Sequence, residues 1–327
     1  MTKFLMKCIR PFAAMCVLLV VSAAVACQVP VFRYALERWA SGTYRIYVLS
    51  QGELTDAQKE IVQSLTDEVE GIGQVIVRNG KDKVGNEETE LLAAFRPTDK
   101  PMIVGFYPMD SEVTADQSAF QVPLEQKSVA ALTQSPVREE LVRRLAAGHS
   151  AVWLFLKSGQ KSADDAALAK LNAQLEKDSE DLRLPGFDEL EVSPDLLRST
   201  KVRLKIQFSL IAIDRNDPDE RVLTDMLLNS EPDLRASKEP LAFPVFGRGR
   251  VLYSLVGEGI TSDNIRAAAE FIAGPCSCQV KELNPGFDLL LRCDWDDLVG
   301  DVMISDPIPE TPSEPVLLKI APGRNKR

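Results

Sequence analysis

The chain has 327 residues with 48 acidic against 38 basic side chains, a formal charge of -10, and one histidine. That length allows one large or two modest cores, and the acidic balance repels phosphate backbones, so nucleic acid is excluded as an expected partner. The lone His149 removes most histidine-rich metal sites and catalytic triads, and no metal site is expected.

Lys3, Lys7 and Arg10 open the chain, an apolar run extends from Phe12 to Cys27, and Ala24-Val25-Ala26 closes it. A positive end, an apolar middle and a small-residue cleavage site make up a secretory signal, so residues 1–26 are expected to be removed on export to the periplasm or cell envelope. The run is shorter than the roughly 18 residues of a membrane span. Cys27 stands directly after the cleavage point, which opens a second reading in which it is lipidated and anchors the protein. Both readings cut the same bond, and both stay open on sequence alone. A membrane is thus an expected partner only through such an anchor.

Downstream, Tyr44 to Leu49 alternates as a strand, and Thr55 with Gln58 forms a capping box for a helix striped by Ile61, Val62, Leu65 and Val69. Gln74 to Val77 and Met102 to Phe106 read as strands, with a charged, glycine-punctuated loop over 80–90. Tyr107 to Thr133 carries no clear period. Ser135 and Pro136 start the next helix, Ala151 to Leu156 is a fully apolar strand, and a capping box of Ser162 and Asp165 is expected to open a further helix. Alternating strands and helices predict an α/β protein with mixed sheets.

The acidic stretch with Pro185 and Pro194 separates two expected units, an α/β domain over 27–186 and a second over 201–298, with 187–200 as linker. Lys201 to Ile213 reads as a long strand, Asp217 to Asn229 as a helix, Leu241 to Phe246 and Arg250 to Val256 as a hairpin around Gly247-Arg248-Gly249, and Ser262 to Ala273 as a last helix. A loosely ordered tail is expected over 299–327.

The second-half order β-α-β-β-α, with Pro240 ahead of the hairpin, resembles the thioredoxin fold, in which a cis proline precedes the third strand. The resemblance covers 201–274. It implies a thioredoxin-like domain with Asp214 to Glu220 where the family carries its Cys-x-x-Cys dithiol, so the disulfide chemistry is not carried over. Pro244 fits a central strand badly. The first β-α-β unit is expected to be related. The run from Cys27 to Trp39 and the segment Cys276-Ser277-Cys278-Gln279-Val280-Lys281-Glu282 also resemble an uncharacterised group of exported proteins of planctomycete-like bacteria, which implies relatives but no activity.

Four cysteines lie outside the signal: Cys27, Cys276, Cys278 and Cys293. An oxidising compartment permits a structural bond, for example Cys276 or Cys278 to Cys293 or Cys27. The same pair permits thiol-disulfide exchange or clamping of a soft cation such as Cu(I). Phe32, Tyr34 and Trp39 form either a docking segment for a partner or a segment packed on a sheet edge. His149 stands at the mouth of an apolar strand, without a nucleophile elbow. Asp294, Asp296 and Asp297 lack the glycine and closing glutamate of a calcium loop. The expectation is therefore an exported, non-catalytic binding or assembly protein of the cell envelope, with no cofactor and an unidentified envelope protein as partner. The alternative is a thiol-disulfide oxidoreductase or soft-metal binder using Cys276 and Cys278.

Overall fold

The computed structural model describes residues 27–80, 82, 92, 95, 100–111, 113, 117–190, 192–276 and 280–307. The expected signal, Cys278, and the end of the expected tail from 308 lie outside the described residues. Among the described residues no helix is long and apolar enough to cross a membrane.

The chain is α/β with mixed sheets. β1 (Cys27–Pro30) leads into α1 (Val31–Arg38), and then β2 (Tyr44–Ser50), α2 (Asp56–Glu68), β3 (Gly73–Asn79), β4 (Met102–Phe106) and β5 (Ser118–Pro123) build a first sheet. Its strand order is β3-β2-β4-β5; β2 runs parallel to β3 and antiparallel to β4, and β5 is antiparallel to β4. The capping box of Thr55 and Gln58 forms as expected. The stretch without a clear period supplies β5 and α3 (Gln126–Thr133); α4 (Pro136–Ala146) follows, capped by Ser135 with Pro136 in its first turn.

A second sheet forms from β6 (Ala151–Leu156), α5 (Lys161–Asp181), the short α6 (Phe187–Leu190) and α7 (Pro194–Ser199), β7 (Phe208–Ile213), α8 (Arg221–Leu228), β8 (Leu241–Phe246), β9 (Arg250–Val251), β10 (Leu255–Val256) and α9 (Ser262–Ala273). β11 (Pro275–Cys276) pairs with β1, β12 (Phe287–Asp288) joins β9, and α10 (Trp295–Val299) ends the described elements. The strand order is β12-β9-β8-β6-β7, with β10 also on β8.

This topology does not follow the expected division. β6, placed by sequence in the first unit, is parallel to β7 and antiparallel to β8, and so is central to the second sheet. The reason is chemical: every residue from Ala151 to Leu156 is wholly buried, and only a strand covered on both faces and flanked on both edges meets that requirement. The stretch expected as a linker is instead an excursion between α5 and β7. The long strand expected over 201–213 shortens to its last six residues, Phe208–Ile213.

β6 divides the core. Val152, Leu154 and Leu156 face the first sheet across an apolar layer fed by Leu65 of α2 and Val69 just after it, Leu132 of α3, Leu141 of α4 and Leu223 of α8. Ala151, Trp153 and Phe155 face a second layer closed by Leu171 of α5, Ile265 and Ile272 of α9, and Tyr34 of α1. Pro244 is tolerated in β8 because its carbonyl accepts from Leu252 N at 3.0 Å just past the end of β9, so the donor it lacks falls where that ladder stops. The capping box expected at Ser162 and Asp165 does not form. Gln160 is the cap residue without a side-chain bond, and Asp164 instead accepts from Ser158 N and Gly159 N at 2.7 and 3.0 Å.

Candidate functional site

Three places hold the residues with chemical potential: the β1–α1 seam, the carboxyl end of the second sheet, and a charged cluster between the two sheets.

The seam is structural. Phe32, Tyr34 and Trp39 are 4%, 0% and 3% exposed, so all three pack into the core. Trp39 meets Tyr34 and Phe246 edge-on, with ring centroids 6.3 and 6.4 Å apart. Charges are buried here too. Arg33 Nε donates to Glu37 Oε1 at 2.7 Å and Arg33 Nη1 to the Val202 carbonyl at 2.6 Å. The Glu37 carboxylate also accepts from Ile304 N and Ser305 N at 3.1 and 2.8 Å, and Arg38 Nε donates to Ser305 Oγ at 3.0 Å. Residues 304 and 305, expected to belong to a loose tail, are consequently pinned and buried. Arg248, in the β8–β9 turn, donates to the Leu36 carbonyl at 2.8 Å. Gly247 is needed beside it, because its φ is +58° and a Cβ would stand 2.6 Å from Ala35 Cβ.

Cys276 is 1% exposed in β11, and the backbone register sets it opposite Cys27. Cys293 lies before α10, half-buried, and burial followed by the Asp294 charge pushes its thiol up to about 11. A thiol so raised is a poor nucleophile near neutral pH. The structure thus brings Cys27 and Cys276 together in register and assigns no exchange chemistry to Cys293.

At the carboxyl end of the second sheet, the ordinary ligand position of an open α/β sheet, three loops converge. Lys157 to Gln160 follow β6, Asp214 and Arg215 follow β7, and Ser237 to Pro240 precede β8. Arg215 Nη1 donates to the Ser237 carbonyl at 2.6 Å and Gln160 Nε2 to the Lys238 carbonyl at 2.9 Å. Asp164, 6% exposed, holds the loop after β6, also accepting from Ser158 Oγ at 2.8 Å. Pro240 directly precedes β8, and no peptide bond among the described residues is cis. Sequence reasoning missed this convergence by starting the unit one strand late; the usable signal was Ser158-Gly159 directly after an uninterrupted apolar strand.

Between the sheets, Asp288 carries a buried network. Lys281 Nζ lies 2.5 Å from Asp288 Oδ2 and 2.8 Å from Asp110 Oδ2, and Arg250 Nη1 lies 3.3 Å from Asp288 Oδ1. Gly42 N donates to Asp288 Oδ2 at 2.7 Å and Tyr44 Oη to the Asp288 carbonyl at 2.6 Å. Burial, then the charges of Tyr107 and Asp288, raises the Tyr44 hydroxyl well above its usual range, so it serves as a donor and not as a base. Lys281 lines an open cavity of about 650 Å³ with Trp39, Arg45 and Asp110. With its amine held by two carboxylates and the Ala40 carbonyl, this lysine clamps the first sheet to the second. Among the described residues no group of three or more potential metal ligands occurs, and Asp294 caps α10 by accepting from Asp297 N at 2.9 Å.

His149 precedes β6 and so stands at the amino end of that strand, the end away from the ligand position. Its Nδ1 is 2.8 Å from Ser209 Oγ. Burial, then the charges of Lys205, Arg144 and Arg143, lowers its pKa from 6.5 to about 4. The folded state therefore prefers the neutral ring, and its contribution is intact above pH 6.5 and is lost as pH falls towards 4. Discounted for a half-exposed group, the loss between those limits is about 1–2 kcal/mol. Denaturant titrations of wild type and His149→Gln at pH 7 and pH 4.5 should show the smaller acid-induced loss in the variant.

No protein-family model matches the chain, and no curated protein matches its sequence.

Proposed function

We propose that the chain is an exported, non-catalytic binding or assembly protein of the cell envelope, built from two thioredoxin-like units. The observation that carries this is the chemistry at the start of the helix after each central strand. In β6-α5-β7-α8-β8-β9-α9 the central parallel strand is β6, so the family's dithiol position corresponds to Ser158-Gly159-Gln160-Lys161, not to Asp214–Glu220. In β2-α2-β3-β4-β5-α3 the same position is Gln51 to Thr55. Neither segment contains a sulfur, and Asp164 ties the first one to its own helix. A helix amino terminus there stabilises no thiolate, because none is present.

The deep burial of Cys276 supports the same reading, since exchange needs an accessible thiolate. The relatives implied by the two sequence segments, exported proteins of planctomycete-like bacteria, belong to this proposal as well. Insulin reduction by dithiothreitol, followed by turbidity, tests it. The purified mature protein is expected to leave the rate at background, and so is a Cys276→Ser, Cys278→Ser variant. A wild-type acceleration that the variant loses would replace the binding role with thiol-disulfide catalysis.

A further inference from the structure

We propose that Cys27 and Cys276 are joined by a disulfide in the mature protein, which staples its first strand to the strand after α9 and leaves Cys27 unavailable for lipidation. The proposal rests on the export reading for its oxidant and goes beyond it in assigning the pair.

Backbone geometry carries the argument. β1 and β11 run antiparallel with Cys27 directly opposite Cys276, and a bulge separates this pair from Pro30 opposite Pro275. Val31 N donates to the Gly274 carbonyl at 2.9 Å and fixes the strands at the other end. Directly opposed residues of an antiparallel pair have Cα atoms about 4.5–5.5 Å apart, inside the roughly 4.4–6.8 Å that a disulfide spans. No other described cysteine stands in register with either of them.

The surroundings suit a permanent bond. Cys276 is 1% exposed, so a reductant has little access to its sulfur. β1 covers Cys27–Pro30 and leads directly into α1, which is buried from Val31 onward. A lipid on Cys27 would have to enter the membrane from a strand already committed to the fold.

The bond forms by two exchanges. One thiolate attacks a protein disulfide of the envelope, giving a mixed disulfide and expelling one thiol of the oxidant. The second thiolate displaces the oxidant's remaining sulfur, so two protons and two electrons leave the pair and the oxidant ends as a dithiol.

The experiment is peptide mapping of the mature protein, purified from the producing cells and alkylated without reductant. The expected product is peptide 27–33 linked to peptide 267–281, about 2 Da lighter than the two reduced peptides together once the alkyl group on Cys278 is subtracted, with the link retained in Cys278→Ser. A link lost in Cys278→Ser, a bond between Cys276 and Cys278, or a diacylglyceryl group on Cys27 would overturn the proposal. If cell-derived protein is fully reduced, reoxidation with glutathione disulfide separates the two claims. Formation of the Cys27 to Cys276 link then upholds the pairing and makes the export reading the one that fails, whereas any other product overturns the pairing.

Discussion

Replacing Glu37 with alanine should cost about 3–5 kcal/mol of folding stability. The carboxylate is fully buried, pairs with Arg33, whose Nη2 lies 2.6 Å from its Oε1, and receives the backbone N–H groups of Ile304 and Ser305. Truncation leaves a guanidinium that is 1% exposed without its counter-charge and orphans two amide donors. The pair itself is not a large net source of stability, because desolvating two ions offsets most of their attraction. The double variant Arg33→Met, Glu37→Leu should therefore lose less than Glu37→Ala alone. Urea unfolding of the three proteins checks this, and a double variant as unstable as the single one would mean that the amide contacts dominate.

Trp153→Ala should be comparably damaging, at about 3–5 kcal/mol. Trp153 is the largest side chain that is wholly buried, on the central strand of the second sheet, within the layer closed by α1, α5 and α9. Its indole N–H has no hydrogen-bond partner among the described residues. That detail separates two variants. Trp153→Phe keeps most of the apolar volume and discards an unsatisfied donor worth about 1–3 kcal/mol, so its loss should be far smaller than that of Trp153→Ala. Thermal unfolding resolves the difference, and equal losses in the two would show that the indole N–H is bonded after all.

Both predictions depend on features that differ in how plainly the sequence shows them. Thr55, Ser135 and the helix over Ser262–Ala273 were legible because capping and the helical period are local properties. The strand Ala151–Leu156 was legible as a strand, yet its sheet was not, since a uniformly apolar run states that both faces are covered without naming the neighbours. The partner strand β7 lies beyond the excursion holding α6 and α7, and only long-range pairing joins it to β6. That one displacement moved the unit boundary and, with it, the position to compare with a dithiol.

The seam shows the complementary lesson. An aromatic and charged amino-terminal run reads equally as a docking surface or as a core strip, because residue identity does not report what covers it. Burial of Arg33 and Glu37 was not legible either, since an i,i+4 ion pair on a helix is usually solvated. The register of Cys27 against Cys276 joins residues 249 apart and follows from where α9 ends, not from any spacing in the sequence.

The central proposal is that the protein is exported and cut before Cys27. Amino-terminal sequencing of the protein recovered from fractionated cells tests it most directly. The account predicts Cys27 as the first residue, in the envelope fraction; an intact Met1 on cytosolic protein would contradict it.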